Sequence, residues 1–164
     1  DRPRDQWVRE NGELKMGTLP LDLAGVLSGV EEGDAGDGMA SGTRIGHVHL
    51  QVSDLPRAEA FYVEALGLEP VVRASPGALF VAAGGYHHHL GMNTWESRGA
   101  GERTPALGLG EVTIGLPDSE VQPATDALGA LSERLAARGI DRHLDGDELV
   151  FLDPWRNRVR VLAA

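Results

Sequence analysis

The stretch GHVHLQVSD at residues 46–54 has the same frame as GEVTIGLPD at residues 110–118. In both copies a glycine precedes an ionisable residue, His47 or Glu111, and apolar residues then alternate as they do along a β-strand. Each copy ends on an aspartate that stands just before a predicted helix. Because an internal repeat decides architecture ahead of local propensity, the chain is predicted to hold two copies of one unit that share a site.

Each copy is followed by a predicted helix and then by three short strands. The first helix begins at Asp54, a capping residue, and ends at Gly67, which can adopt the left-handed conformation. Alternation predicts the strands, and a tight hairpin at residues 84–85 is expected between the last two of the first copy. The predicted elements are strands over 45–52, 70–73, 78–83 and 86–92 in the first copy and, in the second, a strand over 111–116, a helix over 123–138 and strands near 142, over 148–152 and over 158–162.

A strand–helix–three-strand unit leaves one face of its curved sheet uncovered, so two such units are expected to pair around a cleft. The predicted fold class is therefore α+β, with two paired βαβββ modules over about 44–105 and 106–164. Their curved mixed sheets are predicted to form one cleft, with His47 and Glu111 pointing into it.

The composition of the chain excludes several classes of function. It has 164 residues, a formal net charge of -10 and no cysteine. The acidic balance argues against a nucleic-acid partner, because phosphate binding needs clustered Lys and Arg. Without cysteine there is no disulfide and no thiolate nucleophile, so any metal must be held by His, Asp or Glu. No apolar run reaches membrane-spanning length and no signal peptide opens the chain, which favours a cytoplasmic protein with no membrane partner.

Residues 1–43 differ in composition from the rest and are predicted to form an N-terminal arm and flexible linker. A short apolar helix is expected over 20–30. The run at 31–42 consists mostly of Gly, Asp, Glu, Ser and Ala, which is the composition of a flexible linker. The predicted domain therefore covers 44–164, and residues 31–42 are expected to be exposed and mobile.

Two motifs resemble a known family. IGHVHLQVSDL at 45–55, with AFY at 60–62 and LGL at 66–68, resembles the opening of a module of the vicinal oxygen chelate superfamily, which includes glyoxalase, bleomycin resistance proteins and extradiol dioxygenases. AGGYHHHLGMNTW at 83–95 resembles the third-module signature of catechol 2,3-dioxygenase-like proteins. In those proteins a stretch similar to residues 1–7 follows a first pair of modules. The resemblance implies the C-terminal half of a four-module protein that acts on a small aromatic or vicinal-oxygen ligand.

The superfamily places metal ligands on the first and fourth strands of each module. On this sequence those positions fall on His47 and Glu111 for the first strands, and on His89 and Arg160 for the fourth. Arg160 departs from the family pattern, because a guanidinium has no free lone pair with which to bind a metal. The other three residues, His47, His89 and Glu111, match the composition of a two-histidine, one-carboxylate site for Fe(II) or Mn(II).

Two interpretations of this pattern stay open. In the first, the chain is an extradiol dioxygenase-like domain in which a metal chelates a catechol and His49, on the same strand face as His47, assists proton transfer. In the second, Arg160 pairs with Glu111 across the cleft and occupies the place of a lost metal. The chain is then a metal-free ligand-binding or structural half-domain that supports a catalytic N-terminal half. Arg160 favours this degenerate site. A homodimer is the alternative to pairing with the N-terminal half.

The histidine run at 87–89 depends on strand register. Side chains alternate along a strand, so His87 and His89 are predicted on one face and His88 on the other. His88 is then a packing or surface residue, although a slip of one residue would exchange these roles. The remaining predicted substrate contacts are Tyr86, Asn93, Trp95 and Arg160, with simple packing as the alternative for the aromatic residues.

Overall fold

The computed structural model describes residues 4–10, 13–15, 20–29, 38–39, 41–72, 76–119 and 122–163. By their contacts they fall into two compact units, Asp1–Gly46 and His47–Ala164. No helix in the described part of the chain has the length and apolar character needed to cross a lipid bilayer.

The described residues of the first unit form little regular structure. A single 3₁₀ turn at Arg4–Gln6 precedes β1 (Arg9–Glu10), which pairs antiparallel with β2 (Glu13–Leu14). Helix α1 (Leu23–Leu27) begins at Asp22, whose carboxylate accepts a hydrogen bond from the Gly25 amide at 2.9 Å. None of its residues is buried, so no packing face extends it to the length predicted from the sequence.

Most of the predicted linker over 31–42 lies outside the described residues. Those of its residues that are described, 38–39 and 41–42, are exposed.

The second unit contains two copies of one arrangement of strands and helix, as predicted. Each copy has a first strand that runs parallel to the last, while the other neighbouring strands are antiparallel. The first module comprises β3 (Val48–Gln51), α2 (Leu55–Glu59) with a π-helical continuation over Ala60–Ala65, β4 (Glu69–Val72), β5 (Ala78–Ala82) and β6 (Leu90–Asn93). The second comprises β7 (Glu111–Leu116), α3 (Ala124–Ala136), β8 (Arg142–Asp145), β9 (Glu148–Leu152) and β10 (Arg158–Ala163).

The strand orders, β3-β6-β5-β4 and β7-β10-β9-β8, are equivalent in the two modules. The predicted α+β fold of two βαβββ modules is therefore confirmed.

The repeated aspartates act as predicted. Asp54 accepts a hydrogen bond from the Arg57 amide at 2.7 Å at the start of α2, and Asp118 accepts one from the Ala124 amide at 2.9 Å at the start of α3. These bonds satisfy amides that have no partner within a helix. Gly67, with φ +90°, follows the π-helical segment, where a left-handed residue was expected.

One predicted feature of the first module is wrong. The chain turns at Gly84 and Gly85, both with positive φ, but β6 begins only at Leu90. The connection therefore spans 83–89 and is not a tight hairpin. Nδ1 of His87 lies 2.8 Å from Nδ1 of His88, a contact that the alternating side chains of an extended strand cannot make.

One hydrophobic core joins the two modules. It includes Tyr62 from the first module and Leu128, Leu135 and Leu149 from the second, each fully buried. Arg134 of α3 adds polar contacts, because its guanidinium donates to the carbonyls at the end of the first module's helical segment at 2.7 Å. The modules are thus held together by burial of their helix faces as well as by hydrogen bonds.

The loop between β9 and β10, residues 153–157, also bridges the modules. The buried carboxylate of Asp153 accepts hydrogen bonds from the amides of Trp155 and Asn157, from the Asn157 side chain and from the Tyr62 hydroxyl, at 2.7–2.9 Å. The Trp155 indole donates to the Ser53 hydroxyl at 2.7 Å. The loop is therefore pinned to the end of β3, beside the candidate site.

Candidate metal centre

Three histidines of the first module lie close together. His47 immediately precedes β3, His49 lies within it, and His88 precedes β6 by two residues. Each offers one ring nitrogen, and these atoms lie within 4.8 Å of one another. The rings of His47 and His88 have centroids 4.3 Å apart, and the Nε2 atoms of His88 and His49 are 3.4 Å apart. Within the described ranges, no other cluster of metal-ligating side chains reaches this spacing.

The pairing of β3 with β6 explains why these side chains meet. The strands are parallel with Val48 opposite Leu90, so the residues that precede the two strands are neighbours. His49 lies opposite Gly91, and a Cβ atom at position 91 would come within 2.9 Å of its ring. Glycine therefore leaves the space that the His49 imidazole occupies.

The cluster favours neutral imidazoles. Burial, and then the neighbouring histidines, lowers the pKa of His88 from 6.5 to about 4. The pKa of His47 is also lowered, first by burial and then by His49 and His87. Both rings are therefore uncharged near pH 7, which is the form that binds a metal ion. The donor set fits a metal on chemical grounds, since imidazole suits Zn, Cu, Fe and Ni.

His87 supports the cluster from outside it. Its Nδ1 atom is 2.8 Å from the Nδ1 atom of His88, which leaves the Nε2 atom of His88 directed at His49. The ring of Phe80 packs at an angle against His88, with centroids 5.1 Å apart. A hydrogen bond to the far nitrogen and an apolar neighbour are the usual means of orienting a metal-binding histidine.

Two of the residues predicted as metal ligands lie in other contacts. The Nδ1 atom of His89 accepts a hydrogen bond from the Ala83 amide at 3.2 Å, and its ring stacks on Tyr86. His89 and Glu111 are absent from the group of three histidines that the described residues form. The structure thus unites His47 with His49 and His88, in place of the predicted set of His47, His89 and Glu111.

Glu111 lies in an ion-pair network of the second module. Its carboxylate accepts from Arg160 at 2.7 and 3.1 Å and from Arg158 at 2.6 Å, and Arg160 also pairs with Glu148. The Arg160 guanidinium in particular holds the pKa of the Glu111 carboxyl below its usual range. The ion pair considered from the sequence is present, although it joins the adjacent strands β7 and β10 of one sheet and does not cross a cleft.

The predicted substrate contacts are dispersed. Tyr86 stacks on His87 and His89, with centroids 4.3 and 4.6 Å apart. The side-chain oxygen of Asn93 accepts from the Trp95 amide at 3.3 Å, while the Trp95 side chain is 67% exposed.

A cavity of about 340 Å³ adjoins His49. It is lined from β3 by His49, Leu50 and Gln51, from the segment between the modules by Ser97 and Arg103, and from the β9–β10 loop by Trp155 and Asn157, among others. Both modules therefore contribute to a cavity that touches the histidine cluster. A larger cavity, about 650 Å³, lies against β8 and β9 and includes none of the three histidines.

His88 is the candidate ligand that sequence reasoning set aside. The signal was present in the three consecutive histidines that follow two glycines, since a turn at that point frees the run from strand alternation. The position of His88 beside His49 depends on the register of β3 against β6, which cannot be inferred from the local sequence.

The chain thus combines two paired βαβββ modules with a histidine cluster at the first and last strands of the first module. The chain belongs to the Glyoxalase/Bleomycin resistance protein/Dioxygenase superfamily, whose family model matches residues 44–161. It is 46% identical over 127 residues to a catechol-2,3-dioxygenase of Bacillus subtilis (strain 168). That match covers 73% of this chain and 43% of the relative, so the chain spans less than half of the relative's length.

Solved structures share the fold. Lactoylglutathione lyase from Agrobacterium tumefaciens matches with a TM-score of 0.50 and 25% identity, covering 73% of this chain and 92% of that one. Glyoxalase I of Leishmania major matches with a TM-score of 0.55 and 19% identity, covering 73% and 86%. A fosfomycin resistance protein from Listeria monocytogenes matches with a TM-score of 0.54 and 16% identity, covering 77% and 93%. The last two likenesses concern the fold alone.

Proposed function

We propose that this chain is the metal-binding part of an extradiol dioxygenase-like protein that cleaves a catechol-type ring, with His47 and His88 as metal ligands and His49 beside them as a third ligand or an acid–base group. The observation that carries the proposal is the group of three histidine nitrogens within 4.8 Å beside a cavity of about 340 Å³. The 46% identity to a catechol-2,3-dioxygenase supports the reaction class. Of the two metals predicted from the sequence, Fe(II) and Mn(II), the proposed one is Fe(II), because imidazole ligands suit it. It would supply Lewis acidity and open positions for a chelating substrate.

The protein's own residues prepare this site in three ways. The lowered pKa values of His47 and His88 keep their lone pairs available at neutral pH. His87 orients His88 through the contact between their Nδ1 atoms. The buried indole of Trp155 presents an aromatic wall on which a flat ring can pack.

His49 has two candidate roles, because it belongs to the cluster and also lines the cavity. As a ligand it would complete a three-histidine site. As an acid–base group it would accept a proton from a substrate hydroxyl, the role predicted from the sequence. His49→Ala distinguishes them: loss of bound metal assigns the ligand role, while retained metal with lost ring cleavage assigns proton transfer.

The test of the proposal is metal binding by the purified chain under anaerobic conditions. Wild type, His47→Ala and His88→Ala are each titrated with Fe(II) and Mn(II), and the metal content is measured. His143→Ala is the matched control, because His143 is an exposed histidine on β8 that lies outside the cluster. We expect about one metal per chain in wild type and control, and little in the other two. Equal metal content in all four proteins would contradict the proposal.

A specific observation favours a second candidate, a metal-free half-domain. The Glu111 carboxylate, predicted as a ligand, is occupied by Arg158 and Arg160. If wild type binds neither metal, the chain acts as a ligand-binding or structural partner of an N-terminal half. Pairing with such a half, or with a second copy, stays a prediction; co-purification with the longer protein's N-terminal half would test it.

A further inference from the structure

The side chains that line the cavity beside His49 differ in charge from the chain as a whole. The chain has a formal net charge of -10, yet no aspartate or glutamate is among the described residues that line the cavity. Among the described residues that line it, Arg103 is the one with a permanent charge. The cavity is thus a cationic spot in an acidic protein, beside the histidines proposed to bind the metal.

Arg103 is held in place through its backbone while its guanidinium lacks a strong partner. Its amide donates to the Trp155 carbonyl at 3.0 Å. Its Nη1 atom reaches the side-chain oxygen of Asn157 at 3.5 Å, a long hydrogen bond to a neutral acceptor. The adjacent Glu102 pairs with Arg156 at 3.6 Å, and the ion pairs of the described residues do not include Arg103.

A half-buried guanidinium of this kind is suited to one class of ligand. Arginine binds a carboxylate through two parallel N–H···O bonds, and such charge-assisted bonds are roughly twice as strong as neutral ones. A volume of about 340 Å³ lies in the range of small-molecule sites. Trp155 and Leu50 supply apolar lining for a ring.

We propose that this cavity selects aromatic ligands that carry a carboxylate, and that Arg103 binds the carboxylate. The inference rests on the proposed function in that it names the substrate class of the same site: a catechol with an acidic side chain in preference to an unsubstituted or alkyl catechol. Arg103 is then the residue that decides specificity, while the histidines bind the metal.

The test compares two probes of similar size, 3,4-dihydroxyphenylacetate and 4-methylcatechol, by anaerobic calorimetric titration of the Fe(II)-loaded chain. We expect the carboxylate probe to bind about tenfold to a hundredfold more tightly, the range of one hydrogen bond to a charged group. Arg103→Gln should abolish this preference and leave the affinity for 4-methylcatechol unchanged. Arg156→Gln is the matched control, because it removes a nearby arginine that does not line the cavity.

Two outcomes overturn the inference: wild type binds the two probes equally, or Arg103→Gln weakens both probes alike, which would indicate a structural role only. If wild type binds neither catechol, the metal-independent probes below decide, and the lack of an Arg103-dependent preference there overturns the inference.

A second pair of probes, phenylacetate and toluene-3-sulfonamide, separates this inference from the proposed metal site, because neither has vicinal hydroxyls. They are titrated into the metal-free chain and into His88→Ala. An Arg103-dependent preference for phenylacetate supports the carboxylate site whether or not the chain binds metal. If the chain binds metal but shows no preference for a carboxylate in either pair of probes, the inference fails while the proposed function stands.

Discussion

The hydrogen bond between Tyr62 and Asp153 offers a quantitative test of how the two modules are joined. Tyr62 is fully buried, and its hydroxyl donates to the Asp153 carboxylate at 2.7 Å across 91 residues of sequence. Burial, and then the Asp153 charge, raises the pKa of Tyr62 well above its usual value of 10.0, so the hydroxyl stays protonated as a donor. Tyr62→Phe removes this donor and leaves the ring in the core.

The expected cost follows from the partners that remain. A hydrogen bond to a charged group contributes about 1.5–3 kcal/mol. In Tyr62→Phe the Asp153 carboxylate keeps its bonds from Trp155 and Asn157, so its charge is still solvated by the protein. We therefore expect the free energy of unfolding to fall by about 2 kcal/mol, with a decrease in Tm of about 4–8 °C for a chain of this size.

The assay is equilibrium unfolding in urea, followed by tryptophan fluorescence and by circular dichroism. A double-mutant cycle with Asp153→Ala supplies the control. Asp153→Ala alone should cost more, about 3–5 kcal/mol, because it removes the charged acceptor of every bond in the loop. In that background Tyr62→Phe should cost almost nothing.

A Tyr62→Phe cost below about 0.5 kcal/mol would refute the reasoning, since substitutions of surface residues reach that size without the loss of a buried hydrogen bond. An equal cost in both backgrounds would refute it too, because it would show no coupling between Tyr62 and Asp153.

Three further predictions concern the site. Because the folded pKa of His88 is about 4 and the unfolded value 6.5, the unfolded state binds more protons between these pH values, so stability should fall as pH drops through this window. The contribution of His88 to this loss should be about 3 kcal/mol by pH 4. His88→Gln should remove that contribution and leave those of His47 and His87, whose pKa values are also lowered, as judged by urea unfolding of the metal-free protein. Gly91→Ala places a Cβ within 2.9 Å of the His49 ring and should weaken metal binding by about tenfold or more in a titration. Gly129→Ala in α3, where a Cβ meets nothing within 4 Å, should leave metal binding unchanged. Glu111→Gln should leave the metal content unchanged, because the carboxylate is engaged by arginines. A loss of metal would instead support Glu111 as a metal ligand, as predicted from the sequence.

Elements that depend on neighbouring residues could be predicted from the sequence. The predicted strands over 111–116 and 148–152 match β7 and β9 residue for residue. The predicted caps at Asp54 and Gly67 are in place because a cap is a contact between residues three or four apart, or a property of one residue's backbone. The resemblance of the two copies then implied the order of strands in each module.

The sequence determined part of the candidate site. His47 and His49 were predicted on one face of a strand by simple alternation, and both lie in the cluster. His88 was set aside because the same alternation was extended to 86–92, where the chain had not yet entered β6. When the length of a turn is not known, the face of the sheet on which each later side chain lies is not known either. Alternation therefore gives wrong predictions just beyond a turn.

Only the tertiary structure decided which distant groups meet. Gly91 accommodates the His49 ring because β3 and β6 run parallel in one register, and the Glu111 carboxylate meets Arg160 because β7 and β10 do the same. The sequence suggested the second contact from the opposite charges at two positions that the family resemblance singled out, and placed it across a cleft. The physical reason is that the meeting of side chains far apart in sequence is set by strand pairing and core packing, which no local pattern of residues encodes by itself.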